Sequence, residues 1–358
     1  MLDITSITSQ VKHNCNISDA QFWGLYSPCG LLLRMRDLYK AEHNLSSADS
    51  VDNKKVGNWI DTREALWEEE EHKKFTNISI HGKTYSPFSI KEINMLLNKE
   101  GYIYAAGYGN MMKPAFILAQ LSEEYSIGRY RVYIAGRELA RDLATTPAMT
   151  RGHTIIVRDE VMQYFYRGRY EEMNAKNCSS ALSRAFNKYG ISRGMDKKVS
   201  GKRFEKLFSA MVKKETSAFV YHEVGEISQR RILGTWWKEL IMDFPYSRAE
   251  LFLRNLKDTL ADTCRPGMLS HIIDNRKTGS LHFYIASLKG FRKNIMPELV
   301  PAYHEFLKSD NWDALDLARK SGYRNAKQLA VKLKDMNDNG RATPENIEKQ
   351  LMSETISQ

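Results

Sequence analysis

The stretch Arg203-Phe-Glu-Lys-Leu-Phe-Ser-Ala-Met-Val-Lys-Lys-Glu-Thr-Ser-Ala-Phe-Val-Tyr-His-Glu-Val-Gly-Glu-Ile227 decides the fold class. At about 100° per residue, Phe204, Phe208, Val212 and Phe219 fall within about 40° of one line. That is the apolar stripe of an amphipathic helix. Helical periods continue on either side of it. They run at 178–189, 202–228, 230–244, 248–263, 268–275, 281–293, 298–308, 312–321, 325–336 and 344–352. Strand signals vanish from about Cys178, so the second half reads as an all-α domain.

The first half is of another kind. A helix is expected over 18–42, with Ser18 and Gln21 as a capping box, Ile17 and Phe22 as a staple, and Pro28 kinking or dividing it. Residues 44–58 read as a polar loop and 60–74 as a short helix. Thr76–Ile80 and Lys83–Tyr85 flank His81-Gly82 as a hairpin. Ser89 and Glu92 cap the next helix, which Gly101 ends. Tyr102–Tyr108 and Pro114–Leu121 read as paired strands around Gly107-Tyr-Gly-Asn110. Arg129–Ala135 reads as a third strand, Gly136 leads into a helix at 137–145, and His153–Val157 adds a fourth strand. The expected architecture is an α+β domain with a small mixed or antiparallel sheet at 1–177, then an all-α domain at 178–358, mainly α overall. Residues 309–358 stand out as a helix-turn-helix-like subdomain.

Composition narrows the classes. The 358 residues are 42% apolar, enough for packed cores, so global disorder is excluded. No apolar run approaches the roughly 18–20 residues of a membrane span. The stretch after Met1 does not read as a secretory signal, and the expectation is a soluble, cytoplasmic protein. Cys15, Cys29, Cys178 and Cys264 show no metal or redox spacing, so reduced and mostly buried thiols are expected. The net charge is +10 and unevenly placed. Residues 1–177 carry 22 basic and 22 acidic side chains, whereas 178–358 carry 31 and 21. A basic half can attract polyanions, and equally it can be a solvated, lysine-rich surface.

The helix quoted at the outset carries polar groups on its apolar side. Glu215 falls about 20° from the stripe's centre, His222 about 40°, and Glu226 on it. His222 and Glu226 are one turn apart. A buried carboxylate must neutralise, pair or bind a metal. Glu and His projecting inward from facing helices are how bundles build di-iron sites. Glu239 and Asp243, bordering the apolar arc of the 230–244 helix, are the candidate additional ligands. Glu250 is explained by the capping box of Ser247-Arg-Ala-Glu250. Asp258 and Asp262 fall opposite Leu253, Leu256 and Leu260 and are expected in solvent, and His271 and His282 read as ordinary helix residues. Iron or manganese suits mixed carboxylate and imidazole ligands. The same groups could instead be met by Arg231, Arg254, Arg276 or Arg292 in a metal-free network.

The spacing Glu-x6-His of Glu215 and His222 resembles the first ligand pair of the haem-oxygenase-like di-iron oxidases, whose later His-x3-Asp-x2-His motif is absent here. That resemblance implies a redox or oxygen-activating activity at a helical metal site. Separately, Ala314–Lys334 looks like a helix-turn-helix, with Ala318 for close packing and Gly322 at the turn. Arg324, Asn325, Lys327 and Gln328 would then open a recognition helix against nucleic acid. Gly107-Tyr-Gly109 lacks the spacing of a phosphate loop. Arg137 and Arg141 share one face of the expected helix and could hold an anion, although Glu138 and Asp142 point to a surface ion-pair ladder. Finally, Ile17–Arg34, Ala105–Gly109 and Gly136–Asp142 resemble an uncharacterised bacterial family of similar length, which implies no reaction and no ligand. Three functional readings stand. The first is a helical carboxylate/histidine metal-binding, di-iron-oxidase-like protein. The second is a nucleic-acid-binding or regulatory protein using the basic helices, and the third is a non-catalytic scaffold.

Overall fold

The computed structural model of the chain describes residues 2–109, 112–175, 178–198 and 201–352. The chain divides into two compact units. One is Met1–Pro147 with Ile156–Gly168, and the other is Ala148–Ile155 with Arg169–Gln358. The architecture is α+β in the N-terminal part and helical in the C-terminal part.

Three helices open the chain: α1 (Ile4–Phe22), α2 (Pro28–Glu42) and α3 (Asn53–Glu70). Asp3 caps α1, accepting the backbone N–H of Ser6 at 3.0 Å. Ser18 is therefore not the cap that the sequence led us to expect, and no helix starts there. It sits buried inside α1, its hydroxyl donating to the carbonyl of Pro114 and accepting from Lys113 Nζ. Pro28 does not kink a helix but starts one, at the first position of α2 behind the capping hydroxyl of Ser27. The expected loop at 44–58 is shorter, because Asp52 caps α3 and starts it seven residues early.

The hairpin β1 (Ile78–Ile80) and β2 (Lys83–Tyr85) turns at His81 and Gly82, both at positive φ, as the spacing predicts. Helix α4 (Ile90–Leu97) is followed by Gly101 at φ +78°. Next come β3 (Tyr102–Tyr108), β4 (Pro114–Ile127), β5 (Tyr130–Arg141), β6 (Ala148–Arg151) and β7 (Thr154–Arg158). They form one sheet in the order β3-β4-β5-β7-β6. In the turn between β3 and β4 the Gly109 N–H donates to the carbonyl of Lys113 at 2.8 Å, and Asn110 lies outside the described residues.

The helix expected at 137–145 is absent. Arg137–Arg141 is the end of β5, paired antiparallel with β4 through Glu138–Ala119, Ala140–Leu118 and Arg141–Ile117. Register shifts on β4 between Leu118 and Glu123 mark an irregularity there. Gly136 lies against it, since a Cβ at that position would stand 2.1 Å from Ser122 Oγ. Helix-prone Glu-Leu-Ala-Arg thus yields to tertiary pairing. No surface ladder forms either. Glu138, Arg141 and Asp142 are all buried. Asp142 accepts from the backbone N–H groups of Phe116 and Ala144 at 2.7 and 2.5 Å. Ile7, Val11, Ile93, Leu97, Tyr104, Phe116 and Leu118 lie together in the core of this unit.

The remaining elements are helical: α5 (Asp159–Asn174), α6 (Ser180–Lys188), α7 (Met195–Lys198), α8 (Gly201–Leu233), α9 (Trp236–Asp243), α10 (Arg248–Thr263), α11 (Met268–Asp274), α12 (Thr278–Ser287), α13 (Gly290–Ile295), α14 (Leu299–Ser309), α15 (Trp312–Asp338) and α16 (Pro344–Ile347). A short π-helical stretch, Glu348–Met352, follows. Ser247 caps α10 by accepting the Glu250 N–H at 3.0 Å. The core joins the end of α8 to α9, α10, α13 and α15 through Leu233, Trp237, Phe252, Leu256, Ile295 and Leu333.

Helix α15 corrects the helix-turn-helix reading. It runs unbroken for 27 residues through Ser321-Gly322-Tyr323, so no turn and no recognition helix exist there. Gly322 serves packing instead, since a Cβ would stand 2.7 Å from Met296 Cγ. Arg324, Lys327 and Gln328 are exposed along this single helix, and Asn325 donates to the carbonyl of Ile295 at 3.2 Å. Among the described residues, no helix is long and apolar enough to cross a membrane. Cys15 and Cys264 are buried, and Cys29 is exposed.

Candidate metal centre

Helices α8 and α10 approach closely at one point. A Cβ on Gly225 would lie 2.1 Å from the carbonyl oxygen of Ala261. Only glycine allows that contact, and it brings the polar groups of both helices within bonding distance. From α8 come His222 and Glu226, and from α10 come Lys257, Asp258 and Asp262.

His222 holds the middle. Its Nδ1 is 2.7 Å from Asp262 Oδ1, and its Nε2 is 3.4 Å from Glu226 Oε1. Asp262 is 1% exposed, which corrects the solvated position expected from its phase. The reason is that α10 packs on several sides at once, against α8, α13 and α15. The face opposite its leucines therefore meets protein rather than water. Arg292 of α13 closes the inner end by donating to Asp262 Oδ2 and, at 3.1 Å, to the hydroxyl of Tyr284. The outer end is closed by Lys257, whose ammonium pairs with Glu226 and stands 3.2 Å from Asp258 Oδ1. Three cations thus meet three carboxylates.

The electrostatics follow from that alternation. Burial opposes the imidazolium, but Asp262 and Glu226 outweigh it and hold His222 well above its ordinary range. Burial would raise Glu226, yet the hydrogen bond from His222 and the charge of Lys257 hold it far below the usual carboxylate range. Asp262 is likewise lowered, with burial opposed by Arg292 and His222. The neighbouring Glu223 moves the other way, pushed up to about 7 by burial and by the charge of Glu226.

One ligand atom each from His222, Glu226 and Asp258 lies within 4.8 Å of the others. Ligands around one ion at about 2.0–2.2 Å stand about 4 Å apart or less, so small side-chain movements would close this set on a cation. Asp262 on Nδ1 is the carboxylate that orients a ligating imidazole and leaves Nε2 for the metal. The group is partly open, with Glu226 at 25% and Asp258 at 34% side-chain exposure.

The sequence-derived candidates separate here. His222 and Glu226 are brought together. Glu215 is buried too, but its Oε1 accepts from the hydroxyls of Tyr189 and Ser280, the latter at 2.9 Å, and it is not in this set. The spacing that resembles the di-iron oxidases therefore joins no common site. Glu239 and Asp243 are exposed on α9 and are not in the set either. Of the arginines weighed as partners, Arg292 takes Asp262, while Arg254 pairs with Glu250 at 2.7 Å. His271 stacks on Tyr221 at 3.8 Å and His282 bonds the hydroxyl of Tyr303 at 2.8 Å. Asp258, Asp262 and Lys257 were missed. Asp258 and Asp262 stand at i and i+4 on α10, a spacing that puts two carboxylates on one face, but their position opposite Leu253, Leu256 and Leu260 reads as solvent-facing.

Two family models cover the chain. Residues 6–158 match the N-terminal domain, and residues 164–354 the C-terminal domain, of a family of unknown function, DUF6866. The chain belongs to the DUF6866 family. No curated protein and no solved structure matches it. The candidate centre lies wholly within the C-terminal DUF6866 domain, and all of its residues come from α8, α10, α12 and α13.

Proposed function

We propose that the C-terminal helical part of this DUF6866 protein binds a divalent transition-metal ion, iron or manganese first, through His222 Nε2, Glu226 and Asp258. The observation that carries this reading is the convergence of their three ligand atoms within 4.8 Å from two helices locked together at Gly225. The donor set of one imidazole and two carboxylates suits these ions. Asp262 supports it by fixing the ring, and Arg292 by fixing Asp262. A resident ion with open positions would supply Lewis-acid or redox chemistry at the half-exposed rim.

Lys257 sharpens the reading. Its ammonium sits between Glu226 and Asp258, where positive charge is wanted, so it competes with an entering ion. The test is metal content of the full chain, purified without a histidine tag and loaded anaerobically with Fe(II) or Mn(II). About one ion per chain is expected, because a formed site holds its ion. His222→Ala should lose it, and Lys257→Met should bind more tightly than the parent. Less than about 0.1 ion per chain in the parent, or equal loading in His222→Ala, would overturn the proposal. So would weaker binding in Lys257→Met, since the lysine would then be a partner of the site and not a competitor.

A further inference from the structure

The helix-turn-helix is absent, yet the excess of positive charge in the second half still needs a place. On α15 the cations are interleaved with Asp313, Asp316, Asp335 and Asp338, and Lys320 and Lys334 pair with two of them at 2.8 and 2.9 Å. The first turns of α8 differ. Residues 201–214 carry Lys202, Arg203, Lys206, Lys213 and Lys214 against one carboxylate, Glu205. All five cations are exposed. At about 100° per residue they fill an arc of about 120°, opposite the buried Phe204, Phe208, Met211 and Val212. Glu205 lies about 60° outside that arc and is half-buried. Among the described residues, Lys202, Arg203, Lys206 and Lys214 make no ion pair. Lys277 prolongs the strip, its ammonium donating to Ser217 Oγ at 2.7 Å and to the Lys214 carbonyl at 3.3 Å.

Folding does not ask for this arrangement. Like charges four residues apart, as in Lys202 and Lys206, destabilise a helix. Cations at a helix N-terminus oppose its dipole, and the first turn of α8 holds Lys202 and Arg203 and no acid. An anionic partner relieves both costs, and a local rule broken without gain to the fold marks a functional surface. The strip runs about 18 Å along the helix axis. Among the described residues it presents no exposed aromatic on which an unpaired base could stack. Nor does it present a large apolar side chain to enter a bilayer or to form the core of a protein interface. A uniform row of cations complements a uniform row of phosphates. We infer that this face of α8 binds the phosphate backbone of a nucleic-acid duplex, through charge and not through base sequence. Its residues are not those of the proposed metal centre, and the inference does not rest on that centre.

Fluorescence anisotropy of the full chain in EDTA tests the inference, with labelled DNA and RNA duplexes of about two helical turns as separate probes. Micromolar binding is expected at about 50 mM KCl, and log affinity should fall linearly with log salt at a slope of about −3 to −5. The tighter probe tells which duplex the strip prefers. The double variant Lys202→Gln/Lys206→Gln, exposed and so without cost to the core, should make the slope shallower by about 2 and weaken binding about tenfold or more. Lys320→Gln/Arg324→Gln, on α15, should change neither. Absence of binding to both duplexes at about 50 mM KCl would overturn the inference, as would an unchanged slope in the α8 variant or an equal loss in the α15 variant. Tighter binding of polyglutamate, or of vesicles containing phosphatidylserine, than of either duplex would also overturn it, by making the partner an acidic protein or a membrane.

Discussion

Both units bury an arginine–carboxylate pair, and they finish it differently. In the first, Arg158 is wholly inaccessible and gives Nε and Nη2 to Glu138 and Nη1 to the carbonyl of Ala144 at 2.8 Å. Every nitrogen of that guanidinium is spoken for by protein. In the second, Arg292 is 21% exposed and holds Asp262, from which the chain of contacts runs outward through His222 to Glu226 and on through Lys257 to Asp258. A closed pair can do no more than hold the fold. A chain of alternating charge that ends at a partly exposed rim leaves its last carboxylates within reach of solvent, which the proposed metal binding requires. The same residue types therefore serve structure in one unit and carry the candidate chemistry in the other.

The widest separation should come from cutting each pair. Arg158→Met leaves Glu138 buried beside Arg141 alone, and removing one partner of a buried pair typically costs about 3–5 kcal/mol. Arg292→Met exposes Asp262 to some water and leaves it the His222 imidazolium as partner, so a clearly smaller loss is expected. Urea unfolding of both variants reads the difference. Equal losses would break the distinction between a closed and an open network.

The second effect is a pH dependence located in the first unit. Glu160 accepts the backbone N–H of Glu138 at 3.1 Å, and its carboxyl is pushed from the ordinary 4.5 to about 7, by burial first and then by the charge of Glu138. Between those values the folded chain holds a proton that the unfolded chain has lost. Stability contributed by that proton is complete below about 4.5 and is lost as pH rises to about 7. At about 1.36 kcal/mol per pKa unit the loss is bounded at about 3 kcal/mol. Glu160→Gln should flatten this part of the stability curve. An unchanged slope between about pH 5 and about pH 7 would show that Glu160 does not carry it.

The first unit's pairs were hidden from the sequence for a reason particular to them. Gly136–Asp142 has helix-forming residues and i, i+4 charges, and alone it reads as an exposed helix. Only the pairing of Glu138 and Ala140 with β4 makes it a strand, and that pairing depends on residues some twenty positions away. Helix α15 failed in the opposite sense, since Gly322 looks like a turn and is a packing contact with Met296. The α+β and helical halves were legible because period-2 and period-3.6 patterns are local. Half of the candidate site was legible for the same cause: His222 and Glu226 are one turn apart on a single helix. The rest lies on α10, α12 and α13, and the inward side of α10 could not be read from its leucines, because that helix is packed on several sides.

The smallest expected effect is the most pointed test of the open end. Asp258 meets Lys257 at 3.2 Å with about a third of its side chain in solvent, and ion pairs of that kind contribute about 0–1 kcal/mol. Asp258→Asn in the metal-free chain should therefore shift the urea midpoint barely, in the range found for ordinary surface substitutions. Its effect on manganese loading should be large by comparison, since the amide keeps the shape of the side chain and loses the charge a cation needs. The two measurements on one variant separate the roles. A stability loss approaching that of Arg158→Met, with metal loading untouched, would place Asp258 among the groups that hold the fold and would close the second network as firmly as the first.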